Sequence, residues 1–269
     1  MTVFALTPGS TPLLVSMPHT ATGIPADLAK RMSEHGRAIP DTDWHVDRLY
    51  GFAAKLGAGT IRPAYSRYVI DLNRAPDGQA LYAGANNTEL CPTSTFAEKP
   101  IWLPGEEPKQ EEIAARCETY WKPYHEALRA ELGRLKERHG LAVLFDAHSI
   151  RSQVPRFFQG RLPDLNVGSA GGVSASPALI ERIMAVASAA TPYSAVLDGR
   201  FKGGYITRAY GRPQESVHAI QLELAQLNYM IEDPPFEYRP DLAERLQPVL
   251  RRMLQAMLDW ARMQPGFRP

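Results

Sequence analysis

Apolar residues in this chain fall alternately into short unbroken runs and longer helical stripes. Leu13 to Met17 is an apolar run bounded by Pro12 and Pro18, which predicts a buried strand. Tyr68–Leu72 (YVIDL), Leu141–Phe145 (LAVLF) and Val217–Leu224 (VHAIQLEL) predict three more. Between them, Asp41 to Leu56 places Trp44, Leu49, Phe52 and Ala53 near helical spacing, with Asp41 or Asp43 as its cap. Glu111 to His139 predicts a long amphipathic helix, kinked or broken near Pro123 and ended by Gly140. Pro177–Ala190 and Pro240–Met263 predict two further helices. Residues 75–109, rich in Gly, Pro, Asn and Thr, predict a long irregular insertion that shapes a site, because such loops are uncommon without a function. Strands alternating with helices imply an α/β fold: a mixed, mostly parallel sheet with helices on both faces. The 269 residues suit one such domain spanning 1–269 and bury enough surface to fold without disulfides.

Composition and charge act mainly by exclusion. The formal net charge is +1 and Lys and Arg form no basic run, so nothing favours nucleic acid or a membrane surface as partner. Cys91 and Cys117 fall in no CxxC pattern and read as free, buried thiols, which fits a reducing cytosol. The N-terminal segment lacks a basic start and a long apolar core, so no signal peptide is expected. No apolar run approaches the ~18 residues of a membrane span. A cytoplasmic protein is the expectation, and the sequence carries no signal of oligomeric state.

Chemistry enters at the ends of the predicted strands, where open α/β sheets place their ligands. His19 follows the first strand, Asp146 and His148 follow the third (DAHS), and Glu223 lies near the end of the fourth. Two histidines and a carboxylate are the ligand set of a catalytic zinc, with a carboxylate beside it as base. Strand-end histidines are common, so this spacing alone is weak. The segment SRYVIDLNR (66–74) adds Arg67, Asn73 and Arg74. Arg presents a fork that binds carboxylates bidentately, which suggests an anionic substrate; the bland reading pairs these Arg residues with Asp71 or Asp77. GRFKGGYITRAYG (199–211) matches neither GxxxxGK[ST] nor GxGxxG and reads as a flexible segment covering substrate, or more plainly as a hairpin turn. Arg200, Lys202 and Arg208 are its candidates for a second carboxylate.

Taken together, SMPHT (16–20), DTDWHVDRLYGFA (41–53), SRYVIDLNR (66–74), LCPTSTF (90–96), YWKPYH (120–125), DAHSI (146–150), LPDLN (162–166), GRFKGGYITRAYG (199–211) and HAIQLELAQLNYM (218–230) resemble the N-formylglutamate amidohydrolases. So many matches in order, over nearly the whole chain, are far more specific than any one motif. That family in turn resembles zinc carboxypeptidases and aspartoacylase-like deacylases, which implies a zinc-carboxypeptidase-like (phosphorylase/hydrolase-like) fold. It also implies one divalent metal, zinc first with cobalt, manganese or iron as alternatives, and a small acidic N-acyl amino acid as substrate.

The resemblance implies roles residue by residue. His19 and His148 are metal ligands; Arg67 touches the scissile carbonyl or a carboxylate; Asn73 and Arg74 hold the α-carboxylate; Glu223 is the general base. Carboxypeptidases place the acidic ligand three residues after the first His, and here that residue is Thr22, which cannot serve. Asp43 is chosen instead, with Asp41, His45 and Asp47 as rivals. Asp146 is expected behind His148, orienting it. Arg208 is preferred, ahead of Arg200, for the other carboxylate. His218, far from Glu223 along the pleat, is assigned to structure. The implied reaction is hydrolysis of N-formyl-L-glutamate to L-glutamate and formate in histidine degradation. Rivals are deacylation of N-acetylaspartate or N-succinylglutamate, a carboxypeptidase, or an inactive binder of acidic metabolites.

Overall fold

The computed structural model describes residues 2–79 and 87–269. Its sheet has seven strands: β1 (Phe4–Thr7), β2 (Leu13–Ser16), β3 (Gly59–Pro63), β4 (Ala142–Ile150), β5 (Leu165–Gly168), β6 (Ala195–Leu197) and β7 (Val217–Ala225), in the order β1-β3-β2-β4-β7-β5-β6. The central strands β3, β2, β4 and β7 run parallel. β1 is antiparallel to β3 at one edge, and the parallel pair β5–β6 runs antiparallel to β7 at the other. This is the mixed, mostly parallel sheet expected.

The helices are α1 (Ala26–Arg31), α2 (Glu34–Arg37), α3 (Val46–Leu49), α4 (Gln110–Arg116), α5 (Lys122–His139), α6 (Pro177–Ser188), α7 (Tyr205–Tyr210) and α8 (Pro240–Arg262). They cover both sheet faces, and strand alternation sorts the two cores. Leu13, Val15, Val143, Phe145 and Ala147 pack with α3, α6 and α8. Leu14, Ala142, Leu144 and Ala219 pack with Leu128, Leu132 and Leu135 of α5 and Ile206 of α7. Both cysteines are free and buried. No helix among the described residues is long and apolar enough to cross a membrane.

Several elements differ from expectation. The stripe 111–139 is broken as predicted: a π-turn over Cys117–Trp121 separates α4 from α5. Pro123 has no N–H to give, and a widened turn tolerates that loss. Gly140 ends α5 at φ 82°. Asp41–Leu56, by contrast, is no single helix. It holds the short α3 and a 3₁₀ turn (Ala53–Leu56), and α3 starts from His45 at φ 62° without a side-chain cap. Tyr68–Leu72 is buried but is not a strand. Ser66 Oγ accepts from Tyr68 N at 3.2 Å and Asp71 Oδ1 from Asn73 N at 2.8 Å, and such local bonds compete with a ladder. β4 runs past Phe145 to Ile150, so Asp146 and His148 lie within it. The segment 199–211 is a loop followed by α7, with no hairpin. Of the insertion 75–109, residues 80–86 lie outside the described residues.

Candidate active site

The face of the sheet that packs on α5 changes character along its strands. At their amino ends it presents Leu14, Ala142, Leu144 and Ala219; at their carboxyl ends it presents Ser16, Asp146, His148, Gln221 and Glu223. Asp146 pairs with Gln221 across the ladder, and His148 with Glu223. His19 stands just beyond β2, and the Asp43 amide donates to its carbonyl at 3.0 Å, which brings the 41–45 turn over the strand ends.

His19, Asp43 and His148 converge there, all buried, with one donor atom from each inside a 4.8 Å cluster. Asp43 Oδ2 lies 3.7 Å from Nδ1 of His19 and 3.2 Å from Nδ1 of His148. The other nitrogens face carboxylates: His19 Nε2 is 2.7 Å from Asp71 Oδ1, and His148 Nε2 is 3.1 Å from Asp146 Oδ2. Each Nε2 can donate to the carboxylate behind it, while both Nδ1 atoms turn toward Asp43. Burial lowers His148, but Asp146 and Asp43 outweigh it and hold it well above the usual histidine range, so a cation at Nδ1 would take the place of a proton. Both Nδ1 atoms and the Asp43 carboxylate thus face one another in a buried pocket. Such a set is satisfied by a cation, and two imidazoles with a carboxylate suit a divalent transition metal. The donor set therefore fits a metal.

The rivals of Asp43 are occupied elsewhere. Asp41 accepts from the Tyr68 hydroxyl at 2.5 Å and the Phe96 amide at 2.8 Å. His45 Nε2 bonds to the Phe236 carbonyl at 2.7 Å, and Asp47 pairs with Arg62 at 3.4 Å.

A cleft of about 590 Å³ opens on the histidines. Arg67, Asn73, Arg74, Arg200 and Glu223 line it, as do Thr88, Phe96, Phe157, Phe201, Gly204 and Gln221. Arg67 donates to Asp71 Oδ2 at 2.6 Å and lies 4.9 Å over the Phe96 ring. Its ion pair with Asp71 and its place in the cleft thus coexist. Arg74 is steadied by Thr88 Oγ1 at 2.8 Å, and Arg200 donates to the Phe157 carbonyl at 2.6 Å. Asn73 Nδ2 sits 3.1 Å from His148 Nε2, and its Oδ1 accepts from the Ile206 amide at 2.7 Å. Gly204 permits this contact: a Cβ there would meet Asn73 Nδ2 at 2.2 Å. Arg208 and Lys202 are not among the lining residues; Arg208 Nε donates to the Gly203 carbonyl at 2.9 Å. His218 accepts from the Ser176 amide and stacks edge-on to Trp260, a packing role.

Burial pushes the Glu223 carboxyl up to about 8; His148 and Arg67 pull it back, while Asp43 and Asp146 push it further up. Burial lowers His19, and Arg67 adds to that. For Asp71, burial is outweighed by His19 and Arg67, which hold it well below the usual carboxylate range.

The match to known proteins agrees with this geometry. A family model described as N-formylglutamate amidohydrolase matches residues 11–230. The chain belongs to the N-formylglutamate amidohydrolase family. It is 51% identical over 252 residues to an N-formylglutamate deformylase of Pseudomonas putida, covering 94% of each. It is also 51% identical over 254 residues to one of Pseudomonas aeruginosa, covering 94% of this chain and 95% of that one. In fold it is similar to a crystal structure of N-formylglutamate amidohydrolase from Ralstonia eutropha JMP134, with a TM-score of 0.78 at 23% identity, covering 97% and 98% of the two chains.

Sequence reasoning missed several cleft residues of this family member. Asp71 was legible only as an ion-pair partner for Arg67, although its place two residues before Asn73 was a usable signal. Thr88 and Phe96 come from the 75–109 insertion that was expected to shape a site, whereas Phe157 and Gln221 carry no local signal, since a loop and a cross-strand register bring them in.

Proposed function

We propose that this protein hydrolyses N-formyl-L-glutamate to L-glutamate and formate, using one divalent metal held by His19, Asp43 and His148. Zinc is the first choice of metal, and histidine degradation is the proposed setting of the reaction. The observation that carries this reading is the facing of two imidazole Nδ1 atoms and a carboxylate at the base of an Arg-lined cleft. The family and the 51% identical deformylases give the substrate. A bound metal would supply a Lewis acid that acidifies water and polarises the formyl carbonyl.

The chain's own residues do the rest. Asn73 and Arg74 hold the α-carboxylate and thereby orient the formamide. Arg200, set between Phe157 and Phe201, takes the side-chain carboxylate; it replaces Arg208 in that role because it faces the cleft. In its carboxylate form, which a cation held beside it would favour over the raised value of about 8, Glu223 accepts a proton from the attacking water as oxygen bonds to the formyl carbon. Arg67 stabilises the oxyanion that forms there, a term that is large in a dry, preorganised site. Glu223 then delivers its proton to the nitrogen as the C–N bond breaks, releasing the amine of glutamate and formate. Asp71 and Asp146, by accepting from Nε2 of the two imidazoles, would favour the tautomer that turns Nδ1 to a metal.

The test is formate release from N-formyl-L-glutamate by protein purified without chelator, before and after metal stripping, with zinc, cobalt and manganese restored singly. Activity lost on stripping and regained with one metal supports the whole reading. Folded protein that releases no formate with any metal overturns it, and N-acetylaspartate and N-succinylglutamate become the next substrates.

A further inference from the structure

One helical turn outside the cleft reaches the proposed substrate-binding arm with unusual specificity. Trp121 ends the π-turn before α5, and His125 lies one turn further on. Trp121 Nε1 donates to the Arg74 carbonyl at 3.0 Å, and His125 Nε2 lies 2.9 Å from the Leu72 carbonyl. The two carbonyls flank Asn73. A carbonyl can only accept, so His125 carries its proton on Nε2 and offers a lone pair at Nδ1. That nitrogen faces the Tyr210 hydroxyl of α7 at 2.9 Å. The Trp121 and His125 rings stack at 3.8 Å, and Tyr205 of α7 packs against both.

Asn73 is thus held from two directions. Its neighbours' carbonyls are fixed by the π-turn and α5, while its own side-chain oxygen and backbone carbonyl accept from Ile206 and Tyr205 of α7. None of Trp121, His125 and Tyr210 lines the cleft. A helix that needed only apolar packing here would carry aliphatic side chains. Instead it buries two ring N–H groups, and each finds a carbonyl beside Asn73, as buried donors must.

We propose that Trp121 and His125 are positioning residues for hydrolysis. They set where Asn73 and Arg74 meet the substrate carboxylate, and through Tyr210 they lock that arm to α7 and the loop 199–204. The inference rests on the reading of Asn73 and Arg74 as the carboxylate-binding arm. The α-carboxylate is held alike in the bound substrate and the transition state, so weakening that hold removes uniform binding and the signature lies in KM.

The test compares wild type, Arg74→Ala, His125→Leu, His125→Gln and Trp121→Phe as metal-loaded enzymes. N-formyl-L-glutamate is the substrate, and metal content and circular dichroism are recorded for each. His125→Leu is expected to raise KM about tenfold, the scale of one buried hydrogen bond, with kcat within about threefold and full metal content. His125→Gln keeps an amide donor and an acceptor and is expected to restore most of the loss. Trp121→Phe keeps a ring and removes only the N–H; it carries the same expectation should His125→Leu fail to fold. Unchanged KM in folded His125→Leu or Trp121→Phe overturns the proposal, as does a loss of metal and kcat together or a failure of His125→Gln to rescue. If Arg74→Ala itself leaves KM untouched, the arm reading falls and this inference with it. If Arg74→Ala raises KM while the α5 variants do not, the positioning role alone falls.

Discussion

Asp71 Oδ1 lies 2.7 Å from His19 Nε2, and both side chains are buried, at 0% and 4% exposure. The same carboxylate accepts from Arg67 at 2.6 Å and from the Asn73 amide at 2.8 Å. One buried anion therefore fixes a proposed metal ligand, the proposed oxyanion cation and the start of the carboxylate arm. Asp71→Asn is expected to lower metal affinity about ten- to hundredfold, the usual cost of losing a partner behind a ligating histidine. Competition against a metal-binding dye reads this directly. Wild-type affinity in the folded variant would show that His19 needs no carboxylate behind it.

Glu223 stands beside His148 in the ladder and has no carboxylate substitute among the described residues of the cleft wall. Glu223→Gln keeps the shape and removes the proton acceptor. Turnover is expected to fall by at least about 10²-fold while metal content and substrate binding persist. Near-wild-type turnover would remove Glu223 from the proton-transfer role.

The two basic residues considered for the side-chain carboxylate part company in the structure: Arg200 faces the cleft and Arg208 turns to the Gly203 carbonyl. Arg200→Met is expected to raise KM for N-formyl-L-glutamate by about ten- to hundredfold, the scale of a charge-assisted bond. It should change KM for N-formyl-L-alanine little. Arg208→Met should shift neither by more than about twofold. The reverse order would return the side-chain carboxylate to Arg208.

What the sequence revealed and what it hid have a common physical reason. Apolar runs located β2, β4 and β7, because central parallel strands are buried on both faces. Runs alone cut β4 short at Phe145, since Asp146 and His148 are polar but alternate with Ala147, which still faces the core. Tyr68–Leu72 looks like a strand by burial, yet Ser66 and Asp71 satisfy its backbone locally. β1, β3, β5 and β6 are short or half-exposed and leave little periodic trace. The strand-end histidines and Glu223 were legible by position. Asp43 could be chosen only against three rivals, Asp41, His45 and Asp47, because the turn that delivers it depends on His45 adopting φ 62° and on a backbone bond to His19.

His125 also links the fold to pH. Burial lowers it most; the Leu72 carbonyl opposes this, Arg129 adds to the lowering and Asp146 raises it, leaving the group at about 4. Tyr210, Tyr205, Trp121 and Tyr124 pack against its ring and stay neutral at these pH values. The folded group is thus depressed below the ordinary 6.5 of a free histidine. Between pH 6.5 and 4 the unfolded chain takes up a proton that the folded chain refuses, so stability falls as pH falls through that window. The contribution is full above 6.5 and shrinks by up to about 3 kcal/mol toward pH 4. His125→Gln cannot titrate but keeps a donor and an acceptor. Thermal unfolding in chelator, which removes metal release from the comparison, should show a shallower acid-side loss of Tm for the variant than for wild type. Parallel acid limbs would mean that His125 is already accessible to protons in the folded state and that the α5 ring stack does not exclude water.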